Sequence, residues 1–402
     1  RKADPSAQIV VIGDEPEAPY SRMAIPYVLI DKVPEQGTHL RKTSGHFEAQ
    51  NISIMRDERV RDVDPQNKQV ILASGGTQAY DKLLIASGSR PQAPPIPGMD
   101  LANVHSCWTL EDARSIHRLA KPGANVVLMG AGFIGCIILE ALALSGANLT
   151  VIEMGDRMVP RMLDQTAGNL LKQWCQSKDV DVHTSTRVSA ITESGAGLTV
   201  TLDNATVMPA DLVVSATGVT PNIEFLAGSG VNTNFGIVVD ANMQTNIADI
   251  YAAGDVAEAL DLSTGSAAVQ AIQPTAVDHG RLAALNMAGK TTHHRGSLNM
   301  NVLDTLGLIS ASFGAWMGVD GGETTSLVDA TSYRYIQLQF DGDVLVGGQA
   351  LGLTQHVGVL RGLIQTGTHL GEWKDKLLED PLKLAEAYLA CAHDTVRAGQ
   401  YL

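Results

Sequence analysis

The sequence predicts an α/β fold in which buried strands alternate with helices and glycine-rich turns, followed by a β-rich segment that begins near Leu298. Three observations support this prediction. Residues 125–153 follow the order strand, glycine turn, helix, strand and acid. A second apolar strand, residues 7–12, also ends in acids. From Leu298 onward the sequence becomes β-rich, and residues 333–340 alternate with the period of two that is typical of strands. At 402 residues the chain is too long for one ordinary core, so we expect two or three domains.

The glycine turn within residues 125–153 is the most specific pattern in the chain. The first glycine allows a tight turn, the second lets a pyrophosphate approach the backbone, and the third lets helix and strand pack closely. Backbone N–H groups at the start of the following helix then face the phosphates. The pattern predicts these dinucleotide-binding residues: Gly130, Gly132, Phe133, Ile134, Gly135 and Glu153.

Glu153 also indicates which nicotinamide cofactor is used. A carboxylate at the end of the second strand accepts hydrogen bonds from the adenosine ribose hydroxyls and repels a 2′-phosphate. This favours NADH over NADPH. Arg157 and Arg161 follow closely and would soften the preference if they reached the ribose, whereas as solvated surface charges they would leave it unchanged.

Composition excludes several other classes of protein. The net charge of −14 argues against a nucleic-acid partner, because a phosphate backbone would be repelled. No apolar run reaches the roughly 18 residues that a membrane-spanning helix requires. The four cysteines are scattered without a CxxC pair, so we expect neither a disulfide framework nor a metal cluster, and a reducing cytoplasm as the compartment. The adjacent His293 and His294 are predicted to lie in a solvated loop and not in a metal site.

The first part of the chain predicts mostly short strands. Residues 52–56, 60–63 and 69–72 alternate, and a DPQNK turn predicts a hairpin, so a small antiparallel insert is expected. Residues 82–86 form a buried strand that leads into the proline-rich run PQAPPIPG, a stiff connector. A helix over 109–119 begins with a capping pattern of a threonine and an aspartate.

The remaining elements complete the α/β pattern and then the β-rich segment. The predicted helices are 164–177, 274–287, 355–366, 372–378 and 382–393. The predicted strands are 181–184, 188–192, 198–202, 212–216, 237–239, 333–340 and 344–350. A DGD turn joins the last two strands.

Several motifs recur in a familiar order: PYSR, KLLIASGSRP, GAGFIG with VIE, LVVSATGVTPN and TNIADIYAAGD. Together they resemble the FAD-dependent pyridine nucleotide–disulfide oxidoreductases. The branches they resemble most are the rubredoxin and ferredoxin reductases, the flavin portion of assimilatory nitrite reductase, and the NADH oxidases and coenzyme A–disulfide reductases. The resemblance covers nearly the whole chain.

The resemblance implies two interleaved Rossmann-like nucleotide-binding domains and a C-terminal α+β interface domain. The expected bounds are 1–112 with 245–295 for the FAD-binding domain, 113–244 for the NAD-binding domain and 296–402 for the interface domain. FAD would bind to the first and NADH to the second. The glycine motif that holds FAD is expected to precede Arg1, upstream of the sequence given.

The resemblance also implies roles for individual residues on the FAD side. Asp14 and Glu15 match acids that hold the adenosine ribose of FAD, and Arg22 matches an arginine that contacts it. Asp255 would bind the ribityl or pyrophosphate region, and Gly254 would let the backbone approach. The other expected cofactor-binding residues are Val60, Ser87, Gly88, Gly218 and Arg114. Val60 would line the adenine pocket, with a purely core position as the alternative. Ser87, Gly88 and Gly218 would lie in turns between domains, and the alternative for Arg114 is a helix-surface charge.

Two departures from the family pattern affect the chemistry. Met23 stands where the NADH oxidases and coenzyme A–disulfide reductases carry a reactive cysteine beside the flavin, and a thioether forms neither a mixed disulfide nor a sulfenate. Many relatives also pair a lysine near flavin N5 with a glutamate after the glycine turn. Tyr27 and Ile137 stand at those positions, so Tyr27 is the expected catalytic hydrogen-bond donor.

The sequence therefore predicts an FAD-dependent NADH oxidoreductase that passes electrons from NADH through FAD without an active-site cysteine. The acceptor would be a small redox protein such as a rubredoxin or ferredoxin, other subunits of a complex, or oxygen. The alternative is a nucleotide-binding scaffold or assembly subunit with little turnover. A homodimer through the C-terminal domain is expected from the resemblance, with Trp316 and Trp373 either as interface anchors or as core residues.

Overall fold

The computed structural model describes residues 1–195 and 197–397. The chain divides into two compact units. The first unit comprises Arg1–Val28, Val33–Arg90 and Val219–Ser297. The second comprises Leu29–Lys32, Pro91–Gly218 and the chain from Leu298 onward. Each unit is assembled from separate stretches of sequence, so the two are interleaved along the chain.

The strands in chain order are β1 (Ile9–Ile12), β2 (Ile52–Met55), β3 (Val60–Asp64), β4 (Gln69–Leu72), β5 (Thr77–Ala79), β6 (Leu83–Ile85), β7 (Ser89–Pro91), β8 (Val104–Ser106), β9 (Asn125–Met129), β10 (Asn148–Ile152), β11 (Asp181–His183), β12 (Val188–Ser194), β13 (Gly197–Leu202), β14 (Val207–Ala210), β15 (Leu212–Ser215), β16 (Val219–Pro221), β17 (Ile237–Val238), β18 (Ile250–Ala252), β19 (Ala257–Leu260), β20 (Ala267–Val269), β21 (Met300–Thr305), β22 (Leu308–Gly314), β23 (Glu323–Asp329), β24 (Arg334–Asp341) and β25 (Val344–Leu351). The helices are α1 (Ile25–Leu29), α2 (His46–Ala49), α3 (Leu110–Leu119), α4 (Phe133–Leu144), α5 (Gln165–Gln176), α6 (Gln273–Met287), α7 (Val357–Thr366), α8 (Trp373–Glu379) and α9 (Leu384–Arg397).

A five-stranded parallel sheet organises the first part of the second unit, in the order β11-β10-β9-β15-β8. All of β9 except Asn125 is buried, because strands of a parallel sheet are covered on both faces. The chain leaves β9 toward β10 and later returns on the other side as β15. The carboxyl end of β9 is therefore a topological switch point, the place where open parallel sheets bind ligands.

The C-terminal part of the second unit is an antiparallel sheet in the order β21-β22-β25-β24-β23. Apolar side chains on one face, among them Phe313, Leu338 and Phe340, form a core with α7, α8 and α9. Trp316 lies in the interior and Trp373 packs beside this core. Core packing therefore accounts for Trp316, whereas Trp373 is only partly buried.

The parallel strand pairs of the first unit include β1 with β2, β18 with β6 and β17 with β19. Helix α6 packs against β18 and against a short 3₁₀ turn, Gly254–Val256. A three-stranded antiparallel sheet, β3-β4-β5, closes the same core. The predicted fold class, two interleaved nucleotide-binding units with a C-terminal α+β part, is confirmed.

Most predicted elements are present, and one assignment was wrong. Helix α3 begins with the predicted capping box of Thr109 and Asp112. Ile52–Met55, however, is not part of the antiparallel insert, because it pairs in parallel with β1. Its place in the insert is taken by β5, whose Thr-Gln-Ala sequence has no apolar alternation to reveal it. In the described part of the chain, no helix is both long and apolar enough to cross a lipid bilayer.

Candidate functional site

The three glycines after β9 occupy three different environments. Gly130 has a φ of +96°, and a Cβ there would lie 2.5 Å from the carbonyl oxygen of Ala216. A Cβ at Gly135 would overlap the carbonyl oxygen of Gly130, so α4 packs against the turn only without a side chain. At Gly132, the residue before α4, a Cβ would meet nothing within 4 Å. The open space beside Gly132 therefore fits a pyrophosphate facing the N–H groups of the first turn of α4.

Glu153 lies at the end of β10 with its side chain directed to the glycine turn. Its Oε2 accepts a hydrogen bond from the N–H of Ala131 at 2.7 Å, and its Oε1 accepts one from the N–H of Gly155 at 2.6 Å. The residue is only 7% exposed. Each carboxylate oxygen has a second lone pair, so ribose hydroxyls are compatible with these bonds.

The two nearby arginines differ in how they are bound. The guanidinium of Arg157 donates to the carbonyl of Leu163 at 2.8 Å and pairs with Asp156 at 2.7 Å. These partners hold it in the loop after Glu153 and leave its charge largely compensated. Arg161 is exposed. The carboxylate of Glu153 is thus the charged group that faces the glycine turn most directly, which favours NADH over NADPH.

The acids predicted to hold the FAD ribose follow β1 and are each paired with an arginine. The Oδ2 of Asp14 accepts from Nε of Arg59 at 3.0 Å and from its Nη2 at 2.5 Å. Glu15 pairs with Arg22 and accepts from the hydroxyl of Tyr20 at 2.5 Å. The structure therefore brings Glu15 and Arg22 together, and the sequence did not reveal Arg59 as the partner of Asp14.

Asp255 lies three residues after the end of β18, in the 3₁₀ turn that α6 packs against. The hydroxyl of Ser89 donates to its Oδ2 at 3.2 Å. Burial raises the pKa of Asp255, while the hydrogen bond from Ser89 and the charge of Arg22 act in the opposite direction. Gly254 has a φ of +79°, and Ala276 lies 3.4 Å from where its Cβ would be. A partly buried carboxyl on a small-residue turn fits the recognition of a sugar hydroxyl.

The turn residues predicted at the domain connections have backbone roles. Ser87 donates from Oγ to the carbonyl of Asn222 at 2.9 Å, and the amide of Asn222 donates back to the Ser87 carbonyl at 2.8 Å. The N–H of Asn222 also donates to the Gly88 carbonyl at 3.0 Å. Gly218 accepts from the N–H of Gln92 at 2.9 Å. Asn222 is thus the hydrogen-bond partner of both Ser87 and Gly88, a contact that the sequence did not reveal.

The remaining predicted residues are more peripheral in their contacts. Val60 pairs with Leu72 in the antiparallel insert and packs on the core of the first unit. Arg114 donates to Glu111 at 3.1 Å on its own helix. Tyr27 on α1 is 52% exposed, and Met23 is 49% exposed. These roles toward a cofactor stay predictions.

The thiols of the second unit are poor nucleophiles. Burial raises the pKa of Cys107 to about 12, with a further rise from Asp112. Burial raises the pKa of Cys175 to about 12 and that of Cys136, which lies on α4, well above the usual value. Because the thiolate is the reactive form, the raised pKa values disfavour reaction of these three thiols at neutral pH. Cys391 is also buried.

The expectation for the adjacent histidines was wrong for one of them. His293 is exposed, but His294 is buried and lies edge-on to His279, with ring centroids 4.8 Å apart. Its Nε2 lies 3.0 Å from the hydroxyl of Ser297. Two adjacent histidines in the sequence do not indicate this packing, because it forms only where the segment after α6 folds back against His279 on that helix.

A family model for pyridine nucleotide-disulphide oxidoreductases matches residues 1–280. A subunit epsilon of NADH-dependent phenylglyoxylate dehydrogenase from Aromatoleum evansii is 30% identical over 97% of this chain and 93% of its own length. A rhodocoxin reductase from Rhodococcus erythropolis is 31% identical over 72% of this chain and 68% of its own length. The structure of an NAD-dependent persulfide reductase from A. fulgidus superimposes with a TM-score of 0.86 at 27% identity, over 92% of this chain and 74% of the other. The chain is therefore a member of the pyridine nucleotide-disulphide oxidoreductase family, an NAD(P)H oxidoreductase whose cofactors are FAD and NADH.

Proposed function

We propose that the chain takes electrons from NADH bound at the glycine turn after β9, transfers them to FAD bound by the first unit, and delivers them to a protein acceptor. The observation that carries this proposal is the geometry of the turn. Gly130 and Gly135 have no room for a side chain, Gly132 is open, and the Glu153 carboxylate is bound to the turn itself. A turn that served only to reverse the chain would not require this combination.

The cofactors supply the redox chemistry, since NADH is a hydride donor and FAD accepts two electrons that it can release one at a time. The protein contributes binding and orientation. On the NADH side, the start of α4 faces the pyrophosphate and Glu153 faces the ribose. On the FAD side, Asp14 and Glu15 hold the adenosine ribose and Asp255 holds the ribityl or pyrophosphate region. Tyr27, at the position of the family's lysine, donates a hydrogen bond near the flavin.

Anaerobic addition of excess NADH to the purified, flavin-loaded protein is expected to bleach the visible flavin absorbance on the timescale of a stopped-flow experiment. NADPH at the same concentration should bleach it more slowly, because the Glu153 carboxylate disfavours a 2′-phosphate. The measurement is stopped-flow absorbance with each nucleotide. A flavin that stays oxidised in excess NADH contradicts the proposal.

Electron transfer in this chain does not use a thiol. Met23 stands where related oxidases carry the redox cysteine, and the pKa values of Cys107, Cys136 and Cys175 are raised by burial. We therefore expect the variant Cys107→Ala, the most accessible of these thiols, to keep its rate of NADH-dependent reduction of an artificial acceptor within about twofold, since no thiolate is available to take part.

The control for that experiment is alkylation. Treatment of the native protein with a maleimide at neutral pH should leave the same rate unchanged. A stoichiometric loss of activity on alkylation, abolished by Cys107→Ala, would show that a thiol does participate.

The acceptor is a small redox protein, such as a rubredoxin or ferredoxin, or another subunit of a complex. The likeness to rhodocoxin reductase supports a small redox protein, and the full-length likeness to a dehydrogenase subunit supports another subunit.

The alternative candidate function is an assembly subunit with little turnover of its own, which that same full-length likeness favours. Size-exclusion chromatography with candidate partners, beside the turnover assay, distinguishes the two, because an active protein that elutes alone rejects the subunit role. The same proposal includes a homodimer formed through the C-terminal part of the chain and a cytoplasmic location.

A further inference from the structure

Part of the loop between Glu153 and α5 is as deeply buried as the core of the protein. Met158, Met162 and Leu163 are buried, and so is Val159 although its φ is +49°. A positive φ is unfavourable for a β-branched residue and persists only where its surroundings impose it. The packing of these side chains therefore favours one conformation of the loop, residues 154–163.

The middle of the loop is tied to the glycine turn. The N–H of Val159 donates to the carbonyl of Ala131 at 2.8 Å, and the N–H of Ala131 donates to the Glu153 carboxylate at 2.7 Å. Arg157 crosses the loop and donates to the carbonyl of Leu163 at 2.8 Å. Hydrogen bonds thus link the loop to the glycine turn and to Glu153.

The far end of the loop is held by the C-terminal sheet. Asp164 caps α5 by accepting from the N–H of Ala167 at 2.8 Å. Its other oxygen accepts from the hydroxyl of Tyr335 at 2.5 Å, and its own N–H donates to the amide oxygen of Gln349 at 2.9 Å. The Gln349 amide nitrogen donates in turn to Gln337 at 2.7 Å.

These contacts come from a polar face of the antiparallel sheet that is buried. Tyr335 is 3% exposed and Gln349 is 0% exposed. Gln349 and Gln337 are directly opposite in the pairing of β24 with β25, and Tyr335 lies two residues from Gln337 on the same face. Burying such groups stabilises a structure only if each finds a partner, and here the shared partner is Asp164.

We propose that Tyr335 and Gln349 are positioning residues for NADH, which act through Asp164 and the loop 154–163 on the glycine turn and Glu153. This inference rests on the proposed binding of NADH at that turn. It assigns to the C-terminal sheet a role in cofactor affinity. Removing either side chain leaves the turn intact but lets the loop and the Glu153 carboxylate shift.

The test is Tyr335→Phe in the flavin-loaded enzyme, with Thr324→Val as its matched control. Both substitutions delete one hydroxyl from the same sheet, but Thr324 donates to Gln339 and does not contact Asp164. We expect Tyr335→Phe to raise the KM for NADH and the calorimetric Kd for NAD⁺ about 3- to 10-fold, with kcat and flavin content unchanged. Thr324→Val should leave all four quantities unchanged.

Gln349→Leu, which deletes the acceptor for the Asp164 N–H, should give the same split between KM and kcat and serves if Tyr335→Phe does not fold. Equal effects of Tyr335→Phe and Thr324→Val overturn the inference, because they indicate general loosening of the sheet. Unchanged Kd and KM in Tyr335→Phe also overturn it.

The variant Glu153→Ala is measured in parallel. If it weakens NAD⁺ binding while Tyr335→Phe does not, the inference fails and the NADH site stands. If Glu153→Ala has no effect either, the site itself is misplaced.

Discussion

Replacing Gly132 with valine is expected to raise the KM for NADH at least about tenfold, a loss of about 1.4 kcal/mol of binding, while leaving thermal stability unchanged. The reason is that a Cβ at Gly132 meets no protein atom within 4 Å, and its backbone, with φ −75° and ψ −170°, suits any residue. The new side chain would therefore fill only the space that the pyrophosphate needs. Steady-state kinetics and calorimetric titration with NAD⁺ measure the effect, and differential scanning fluorimetry measures the stability.

Gly135→Ala is the matched control, since a methyl group there overlaps the carbonyl oxygen of Gly130. Overpacking of this kind costs about 1–3 kcal/mol, so its unfolding midpoint should fall. The pair separates a glycine kept for the ligand from a glycine kept for packing. A Gly132→Val variant that is stable and binds NAD⁺ normally would contradict the placement of NADH at this turn.

Replacing Asp255 with alanine is expected to weaken FAD binding about 10- to 100-fold, so that the protein loses its yellow colour on dilution or gel filtration. The carboxyl is partly buried on the turn after β18, with Ser89 as its hydrogen-bond donor and the charge of Arg22 acting on it. A hydrogen bond from a sugar hydroxyl to a charged group is worth about 1.5–3 kcal/mol, which corresponds to that loss of affinity. The ratio of flavin to protein absorbance reports it directly.

Asp249→Asn provides the control at the opposite end of the same strand. Asp249 immediately precedes β18, pairs with Lys68 at 2.7 Å, and has a φ of +65° that asparagine also tolerates. This variant should keep its flavin. If Asp255→Ala also retains full flavin after gel filtration, the proposed role of Asp255 is wrong.

The glycine unit could be predicted from sequence because its signals are local. Strand, turn, helix and acid lie within 125–153, and each is specified by residue type: apolar residues for β9 and β10, glycine for the turn and a carboxylate at Glu153. The capping box of α3 is equally local, since Thr109 and Asp112 are three residues apart.

The errors arose where the partner of a segment is distant in sequence. Ile52–Met55 reads like the strands after it, but its pairing with β1 depends on a segment about forty residues away. His294 reads as a loop residue, yet it is buried against His279 on α6. Polar character alone cannot distinguish a solvated side chain from one that a distant segment covers.

The sequence by itself determined the fold class, the glycine turn after β9 and the identity of the acid after β10, because period, glycine spacing and residue type act over a few residues. The tertiary structure decided what each of these groups touches. Only there does the carboxylate of Glu153 bind the N–H of Ala131, and only there does the polar face carrying Tyr335 and Gln349 become an interior surface around Asp164. Alternation along β24 predicts one apolar and one polar face, but whether water or protein covers the polar face depends on how distant parts of the chain pack.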